Sequence, residues 1–270
     1  MKPLFLNLFG PPGTGKTTVG FTAPPPFFYG RFDRRADKII KMVREKFGEA
    51  SVTEKVFVPD LGETLKELAN GYLKGVEELA LAALKLNEGT FFIDGGNRWW
   101  DAVQSSKLPN LDDPTLDEAR REKLEKMRRL MYGPANEYLA GLQLAIENSD
   151  VQMIVTHHTK SVYNNRGEET DMVRPDYFKR TPYASTMEVF MMSTAKTEIS
   201  LPTVKSHALA LGGETKMVAE SPKFYGQITM CKDDAAMIGM MLPNPTFPVL
   251  YALAMSEPWE GETWQPPYIP

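Results

Sequence analysis

The sequence predicts an α/β fold in which a mostly parallel sheet is flanked by helices and is extended by antiparallel strands near the C-terminus. Short apolar runs alternate with longer segments of helical periodicity, which is typical of βαβ units. The first apolar run, residues 4–9, leads into a glycine-rich loop and then a helical segment. Residues 187–192, 198–201 and 226–230 follow as later strands, and such a late β-rich region favours antiparallel additions to the sheet.

The glycine-rich loop, residues 10–17, has the pattern G-x-x-x-x-G-K-T, which is typical of the phosphate-binding loop of nucleoside triphosphatases. Glycines allow the backbone to wrap a phosphate, so that successive N–H groups point towards it. Lys16 is expected to reach the β- and γ-phosphates and the Thr17 hydroxyl to hold Mg²⁺. The expected cofactors are therefore a nucleoside triphosphate, ATP or GTP, and Mg²⁺. The residues expected to contact the nucleotide are Gly10, Pro11, Pro12, Gly13, Thr14, Gly15, Lys16, Thr17 and Thr18.

A second strand is predicted at residues 27–29, and it runs into a polar loop. Functional loops of parallel sheets lie at the carboxyl ends of the strands. Asp33 and Asp37 in this loop are therefore candidates for chemistry, and the alternative for each is a solvated loop acid or a helix cap. Residues 38–47 have helical spacing and follow as a helix.

The next elements are predicted from apolar runs and periodicity. Residues 56–58 read as a short strand closed by Pro59, and residues 61–86 as a long amphipathic helix. The residues expected on the apolar face of that helix are Leu65, Leu68, Tyr72, Val76, Leu79 and Ala83. Residues 115–131 form a highly charged helical segment. The simpler interpretation is a helix face exposed to solvent, and the more specific one is a basic edge that faces DNA.

Residues 90–94 are an apolar run that ends in an acid, which is the form of the Walker B strand. Asp94 is expected to hold the Mg²⁺ shell opposite Thr17, usually through water. The alternative is an ordinary acid at the end of a strand. A phosphate-binding loop upstream at this separation favours the metal-binding interpretation.

Another core strand is predicted at residues 151–156, and it ends in polar side chains. Thr156 or His157 is positioned to sense the γ-phosphate and to report hydrolysis to the neighbouring loop. The alternative is a polar pair with no sensing role. Residues 161–182 then form a long polar segment, predicted as a loop, whose basic residues are candidates to contact a nucleic-acid backbone or the phosphates of a neighbouring subunit.

Length and composition are those of an ordinary globular chain. The 270 residues suit a single domain over residues 1–270, with a core over about 1–195 and a β-rich C-terminal extension over about 196–270. A net charge of −4 gives no global signal for nucleic acid. The one cysteine, Cys231, fits a reducing compartment, so we expect a cytoplasmic protein. We expect no signal peptide and no membrane association, since no apolar run approaches the ~20 residues that span a bilayer.

Several stretches together resemble the RecA-like P-loop ATPases encoded by bacteriophages, including the single-strand-annealing recombination group. The stretches that carry the resemblance are residues 10–17, Phe32-Asp33-Arg34, Phe92-Ile93-Asp94, residues 132–136, residues 153–163, Cys231-Lys232-Asp233 and residues 244–247. They cover most of the chain in order. The phosphate-binding loop is the specific motif among them, and the others support the resemblance through their order and spacing.

The resemblance implies a RecA-like P-loop NTPase core, Mg²⁺-dependent ATP hydrolysis and work on DNA as an oligomer, in a ring or a filament. It also implies that a carboxylate at the end of the second strand orients the attacking water. The sequence departs from the family there, because Arg35 stands in place of the expected Gly and Asp37 in place of the expected Glu. Asp is shorter than Glu, so Asp37 and Asp33 are both candidates for this role.

We therefore predict an Mg²⁺-dependent ATPase of phage origin that acts on DNA in recombination, strand annealing or replication, in the cytoplasm of the host. Expected partners are single-stranded DNA, further copies of the chain, and phage or host single-strand-binding or recombination proteins. The predicted catalytic residues are Lys16, Asp37, Asp33, Thr156 and His157, and the predicted metal ligands are Thr17 and Asp94. The candidates for an arginine finger from a neighbouring subunit are Arg166, Arg174 and Arg180.

Two other functions remain open from the sequence. A nucleotide or small-molecule kinase shares the phosphate-binding loop but needs an arginine-rich lid, and the mixed charge of residues 118–129 argues against one. A non-hydrolysing ATP-binding switch or assembly protein fits the departure at Asp37.

Overall fold

The computed structural model describes residues 2–32, 36–59, 63–109, 115–127, 132–177, 185–194, 198–200, 203–205, 210–211, 216–218, 223–262, 264 and 266. The strands in these ranges are β1 (Phe5–Phe9), β2 (Phe27–Arg31), β3 (Val52–Val56), β4 (Thr90–Asp94), β5 (Gln152–His157), β6 (Thr159–Tyr163), β7 (Glu169–Pro175), β8 (Met187–Thr194), β9 (Glu198–Ser200), β10 (Thr203–Lys205), β11 (Ala210–Leu211), β12 (Lys216–Val218), β13 (Lys223–Cys231) and β14 (Met241–Pro243). The helices are α1 (Lys16–Gly20), α2 (Asp37–Phe47), α3 (Leu65–Leu86), α4 (Gly96–Lys107), α5 (Glu118–Met127), α6 (Gly133–Glu147) and α7 (Phe247–Met255).

The main sheet has eight strands in the order β14-β13-β8-β1-β5-β4-β2-β3. Strands β8, β1, β5, β4, β2 and β3 pair in parallel. Strands β13 and β14 are added at one edge in antiparallel pairing. The predicted fold class, a mostly parallel sheet with helices and C-terminal antiparallel strands, is therefore confirmed.

Helices cover both faces of this sheet, as the apolar strands require, because a parallel sheet buries both of its faces. Side chains alternate between the two cores along β4: Phe92 packs with α2 and α7, whereas Phe91 and Ile93 pack with α3, α4 and α6. Because β1, β5 and β4 are adjacent and parallel, their carboxyl ends meet at one edge of the sheet, where the candidate site lies.

The strand predicted at residues 56–58 was misplaced, since β3 is Val52–Val56 and Phe57 comes after it. Strand β3 lies at the edge of the main sheet, so polar side chains such as Thr53 and Glu54 are tolerated along it. The apolar run that suggested a strand instead supplies Phe57, which packs under α3.

Helix α3 begins at Leu65 rather than at residue 61, and Thr64 and Glu67 form a capping box at its start. It continues unbroken past Gly71 and Gly75. The predicted face is confirmed at Val76, Leu79 and Ala83, but Leu65 in the first turn is 79% exposed. The residues of α3 that are buried are Ala69, Leu73, Gly75, Val76, Leu79, Ala80 and Ala83.

The prediction of a loop over residues 161–182 was wrong for its first part. Strands β6 and β7 pair antiparallel and belong to a four-stranded sheet, β11-β10-β7-β6. Polar residues dominate the sequences of both strands, with Val162 and Val173 among the few apolar ones, so the regular alternation that marks a half-buried strand is absent. Residues 178–182 lie outside the described residues. Among the described helices, none has the length and apolarity needed to cross a membrane.

Candidate functional site

The glycine-rich loop lies between β1 and α1, at the carboxyl edge of the main sheet. Gly13 and Gly15 have φ values of 77° and 81°, in the left-handed region that glycine adopts without strain. Gly10 is required for a different reason, because a Cβ there would lie 2.1 Å from the carbonyl oxygen of Met191 on β8. Helix α1 has only five residues, so loop N–H groups rather than a long helix dipole would bind a phosphate here.

The Lys16 ammonium is held inside this loop. Its Nζ donates to the carbonyl oxygens of Gly10, at 2.9 Å, and Pro11, at 2.7 Å, and it lies 3.4 Å from the Thr14 hydroxyl. Lys16 is only 9% exposed. The cation is therefore positioned by neutral carbonyls, which a phosphate would replace as a stronger, charged acceptor.

Asp94 is the point where three elements of the site meet. Its Oδ2 accepts hydrogen bonds from the Thr17 hydroxyl, at 2.9 Å, and from the Tyr29 hydroxyl, at 2.8 Å. Its Oδ1 accepts from the Thr156 hydroxyl. Burial, and then the Asp94 charge, raise the pKa of Tyr29 well above its usual value, so Tyr29 stays a neutral donor.

Thr156 is fully bonded within the site. Its hydroxyl donates to Asp94 and accepts from the backbone N–H of Gly95 at 3.0 Å. The structure therefore places Thr156 against the carboxylate of Asp94, where it fixes the orientation of that group.

His157 is buried at the back of the same site. Its Nε2 lies 3.3 Å from Oδ1 of Asn7, an acceptor, so the ring is a donor at Nε2. Burial lowers the pKa of His157 to about 3, because the charged form would lose its hydration, and the nearby Lys16 and His158 act in the same direction. The ring is therefore neutral near pH 7. A Cβ on Gly96 would lie 2.4 Å from Cε1 of His157, so the start of α4 fits closely against the ring.

These residues line a cleft of about 320 Å³. The described residues that line it are Pro12, Gly13, Thr14, Gly15, Lys16, Thr17, Thr18, Phe32, Lys38, Ile39, Asp94, Gly95, Asn97, Arg98, Thr156, His157 and His158. All the predicted metal ligands and most of the predicted nucleotide contacts are thus brought together. The fit to a Mg²⁺–nucleotide complex is good, because Thr17 and Asp94 offer the oxygen ligands that Mg²⁺ prefers beside a phosphate cradle.

Of the two candidate water-orienting acids, Asp37 does not line the cleft. Asp37 begins α2, is largely exposed and lies 2.7 Å from Nη2 of the buried Arg31. Asp33 lies outside the described residues. Among the described residues that line the cleft, Asp94 is the one carboxylate.

Two of the three arginine-finger candidates, Arg166 and Arg174, do not line the cleft of their own chain. Arg166 is exposed in the turn between β6 and β7, and Arg174 is exposed on β7. Arg180 lies outside the described residues. The hairpin that carries Arg166 and Arg174 has three cationic and four acidic residues between positions 159 and 176, and Lys160 pairs with Asp176.

Two groups of functional interest were missed from the sequence. Arg98 lines the cleft and donates from Nη1 to the carbonyl of Phe32 at 2.7 Å. Its position, four residues after the acid of the Walker B strand, is the signal by which it can be found. Tyr29 had no such signal, because its bond to Asp94 depends on β2 lying next to β4.

A buried acid behind the site was also missed. Glu188 on β8 is fully buried and stands opposite Asn7 of β1 in the parallel register. Burial raises the pKa of Glu188 to about 7, and the neighbouring Tyr177 hydroxyl and Asn7 amide oppose this rise. Asn7 also donates to Ser185. Asn7 thus lies between the His157 ring, to which it is hydrogen-bonded, and Glu188, which stands opposite it in the sheet.

Comparisons with known proteins give structural likenesses only. No protein-family model matches the chain, and no curated protein matches its sequence. Among solved structures, the chain is similar to a KaiC-like protein from the hyperthermophilic archaeon Pyrococcus horikoshii, with a TM-score of 0.41 and 14% identity. That match covers 89% of this chain and 84% of the other. The function proposed below depends on the site and not on this likeness.

Proposed function

We propose that the chain is a Mg²⁺-dependent ATPase of the RecA-like P-loop class. The observation that carries the proposal is the 2.9 Å bond between Thr17 and Asp94. It joins the end of the phosphate-binding loop to the end of β4, two segments that are 77 residues apart. A hydroxyl and a carboxylate at this separation, beside a buried lysine, are the groups that hold Mg²⁺ and the terminal phosphates in such enzymes.

The charged and the neutral residues of the cleft would have different roles in ATP hydrolysis. Lys16 and the loop N–H groups would stabilise negative charge on the transferring phosphoryl group, which is the largest contribution in this chemistry. Mg²⁺, when bound, would neutralise further phosphate charge. Asp94 would orient the metal shell, and Tyr29 and Thr156 hold Asp94 in place through its two oxygens. His157 is neutral, and because its Nε2–H is directed at Asn7, its Nδ1 would act near the γ-phosphate as a hydrogen-bond acceptor, not as a cation.

The finer assignment is also a proposal: an enzyme of phage origin that works on single-stranded DNA, in recombination, annealing or replication. Support comes from the ordered resemblance along the chain and from the exposed Tyr163, Arg166 and Arg174 on the β6–β7 hairpin. We propose a homo-oligomer in which one of these arginines reaches the cleft of a neighbouring copy, with a single-strand-binding or recombination protein as partner, in the host cytoplasm. The acidic residues on the same hairpin weaken the expected electrostatic attraction to DNA.

The first test is Mg²⁺-dependent ATP hydrolysis, measured with and without single-stranded DNA. Lys16→Ala should lower kcat by at least about 100-fold, as expected for loss of a principal charge-stabilising group. Lys41→Ala, at an exposed lysine of α2, is the matched control and should leave the rate unchanged. Unchanged hydrolysis in Lys16→Ala would overturn the assignment. Hydrolysis that is indifferent to DNA would retain the ATPase and remove the DNA proposal.

One observation favours a second candidate, a non-hydrolysing ATP switch. Asp94 is the one carboxylate among the described cleft residues, and its oxygens already accept from Thr17, Tyr29 and Thr156. Tight Mg²⁺–ATP binding without turnover, in the presence and absence of DNA, would support the switch. Steady-state turnover that Lys16→Ala abolishes would reject it.

A further inference from the structure

A second pocket lies beside the phosphate cleft and shares a wall with it. Its volume is about 420 Å³, within the range of small-molecule sites. Phe32 and Arg98 line both the pocket and the cleft. The rest of the pocket is formed by Phe57 and Pro59 after β3, by the first turns of α3, and by α4.

The pocket wall is aromatic. The rings of Phe32 and Phe57 have centroids 4.6 Å apart, and the ring of Tyr72 lies 5.5 Å from Phe57 and 5.7 Å from Phe32. Leu65 lines the same pocket and is 79% exposed, whereas Phe32 and Phe57 are almost buried. An exposed leucine beside these rings is an apolar surface that a flat apolar ring would cover.

Three polar side chains complete the lining. Arg98 supplies hydrogen-bond donors, Asp101 an acceptor, and Ser105 both. Partial burial raises the pKa of Asp101, and the nearby Asp176 acts in the same direction. A mostly apolar pocket with a few convergent donors and acceptors is the usual form of a site for a small heteroaromatic molecule.

The charge around the pocket is mixed and gives no attraction for a polyanion. The carboxylates of Glu63, Asp101 and Asp176 are offset by the cations Arg98 and Lys160, and Lys160 pairs with Asp176. A phosphodiester backbone would meet carboxylates of like charge here, whereas an uncharged ring would not. We propose that the pocket is a second ligand site, separate from the phosphate cleft, for an uncharged heteroaromatic molecule of nucleoside size.

The test uses molecules that lack phosphate, so that the glycine-rich loop has nothing to bind. Deoxyadenosine, deoxyguanosine, deoxycytidine and thymidine are titrated one at a time, and binding is followed by saturation-transfer NMR and by calorimetry. At least one nucleoside should bind saturably, and it should still bind when ADP and Mg²⁺ are saturating. Failure of ATP hydrolysis would leave this measurement unaffected, so the two proposals fail independently.

A variant at the rim locates the binding. Ser105→Trp places an indole across the mouth from an exposed position, and we expect it to lower nucleoside affinity by at least about tenfold. Leu81→Trp is the control, because Leu81 is an exposed residue of α3 outside the pocket lining. ADP binding, measured in both variants, shows that the fold is retained.

Each result decides the proposal. Nucleoside binding that resists ADP, is lost in Ser105→Trp and is kept in Leu81→Trp supports it. No binding of any nucleoside, full displacement by ADP, or equal binding in the two tryptophan variants overturns it. Binding of a single-stranded oligonucleotide that Ser105→Trp abolishes, with no binding of free nucleosides, also overturns it and assigns the pocket to a strand.

Discussion

The hydroxyl of Thr17 donates to the carboxylate of Asp94 at 2.9 Å, although the two residues are 77 positions apart in the sequence. Strand β5 lies between their strands, β1 and β4, so this contact forms only when three strands are in register. The pair therefore reports on the assembly of the whole site.

Substitutions at Thr17 should distinguish the contribution of its hydroxyl to catalysis from that of its methyl group. Thr17→Ser keeps the metal-binding oxygen and should retain activity within about tenfold. Thr17→Val keeps the shape but removes the oxygen, and it should lower kcat by at least about 100-fold, in line with loss of a metal ligand. The measurement is hydrolysis over a range of Mg²⁺ concentrations. Equal activity in the two variants would remove Thr17 from the metal site.

Glu188 should make stability depend on pH. Its pKa is raised from 4.5 to about 7, so the folded state holds its proton more tightly than the unfolded state. This contribution is fully present below the unfolded pKa and is lost as pH rises through the folded pKa, between about pH 4.5 and 7. The loss is about 3 kcal/mol at most, from the size of the shift.

Denaturant unfolding at pH 5 and pH 8 measures the effect of Glu188. The Glu188→Gln variant cannot ionise, so its stability relative to the wild type should increase with pH. Glu147→Gln, at an exposed position of α6, is the control and should track the wild type. A stability difference between Glu188→Gln and the wild type that is the same at both pH values would contradict the prediction.

His157 should make stability depend on pH in the opposite direction to Glu188. Its folded pKa of about 3 is below the ordinary value of 6.5, so its contribution is present above pH 6.5 and is lost as pH falls towards 3. His157→Gln keeps a neutral donor and should remove part of the acid sensitivity. The free energy of unfolding of both proteins, followed from pH 7 to pH 4, gives the test. Parallel curves would show that His157 is not the residue responsible.

Gly96 should not accept a side chain. A Cβ would lie 2.4 Å from both Cε1 of His157 and Cγ1 of Val155, so Gly96→Ala forces one of them to move. We expect a loss of about 1–3 kcal/mol of stability, typical of overpacking, together with reduced hydrolysis. Gly141→Ala on α6 meets no atom within 4 Å and should stabilise by about 0.5–1 kcal/mol through helix propensity. Thermal unfolding of the two variants should therefore shift in opposite directions.

Local patterns predicted the elements that carry local signals. The phosphate-binding loop and the strand ending at Asp94 were placed correctly, because a motif or an apolar run of strand length marks each one. The edge strand β3 and the hairpin β6–β7 were missed, because polar residues occupy strands that a core does not cover on both faces.

Non-local contacts could not be predicted in the same way. Tyr29 reaches Asp94, and Glu188 stands opposite Asn7, only through the strand order of the folded sheet. The predicted sensor Thr156 was placed at the site, but its bond to Asp94 depends on the pairing of β4 with β5. Strand order is set by packing of the whole chain, and no short stretch of sequence encodes it.

The contact between Gly10 and Met191 has a consequence for how the protein is made. The loop that begins at Gly10 leans on a carbonyl of β8, and β1 is flanked by β5 and β8, both of which come late in the sequence. During synthesis the phosphate-binding loop is therefore made early, before β8, the strand that it packs against. Strand β8, through about residue 191, must therefore be synthesised and outside the ribosome before the loop can take its final shape, because a non-local strand pairing cannot form until both strands are present.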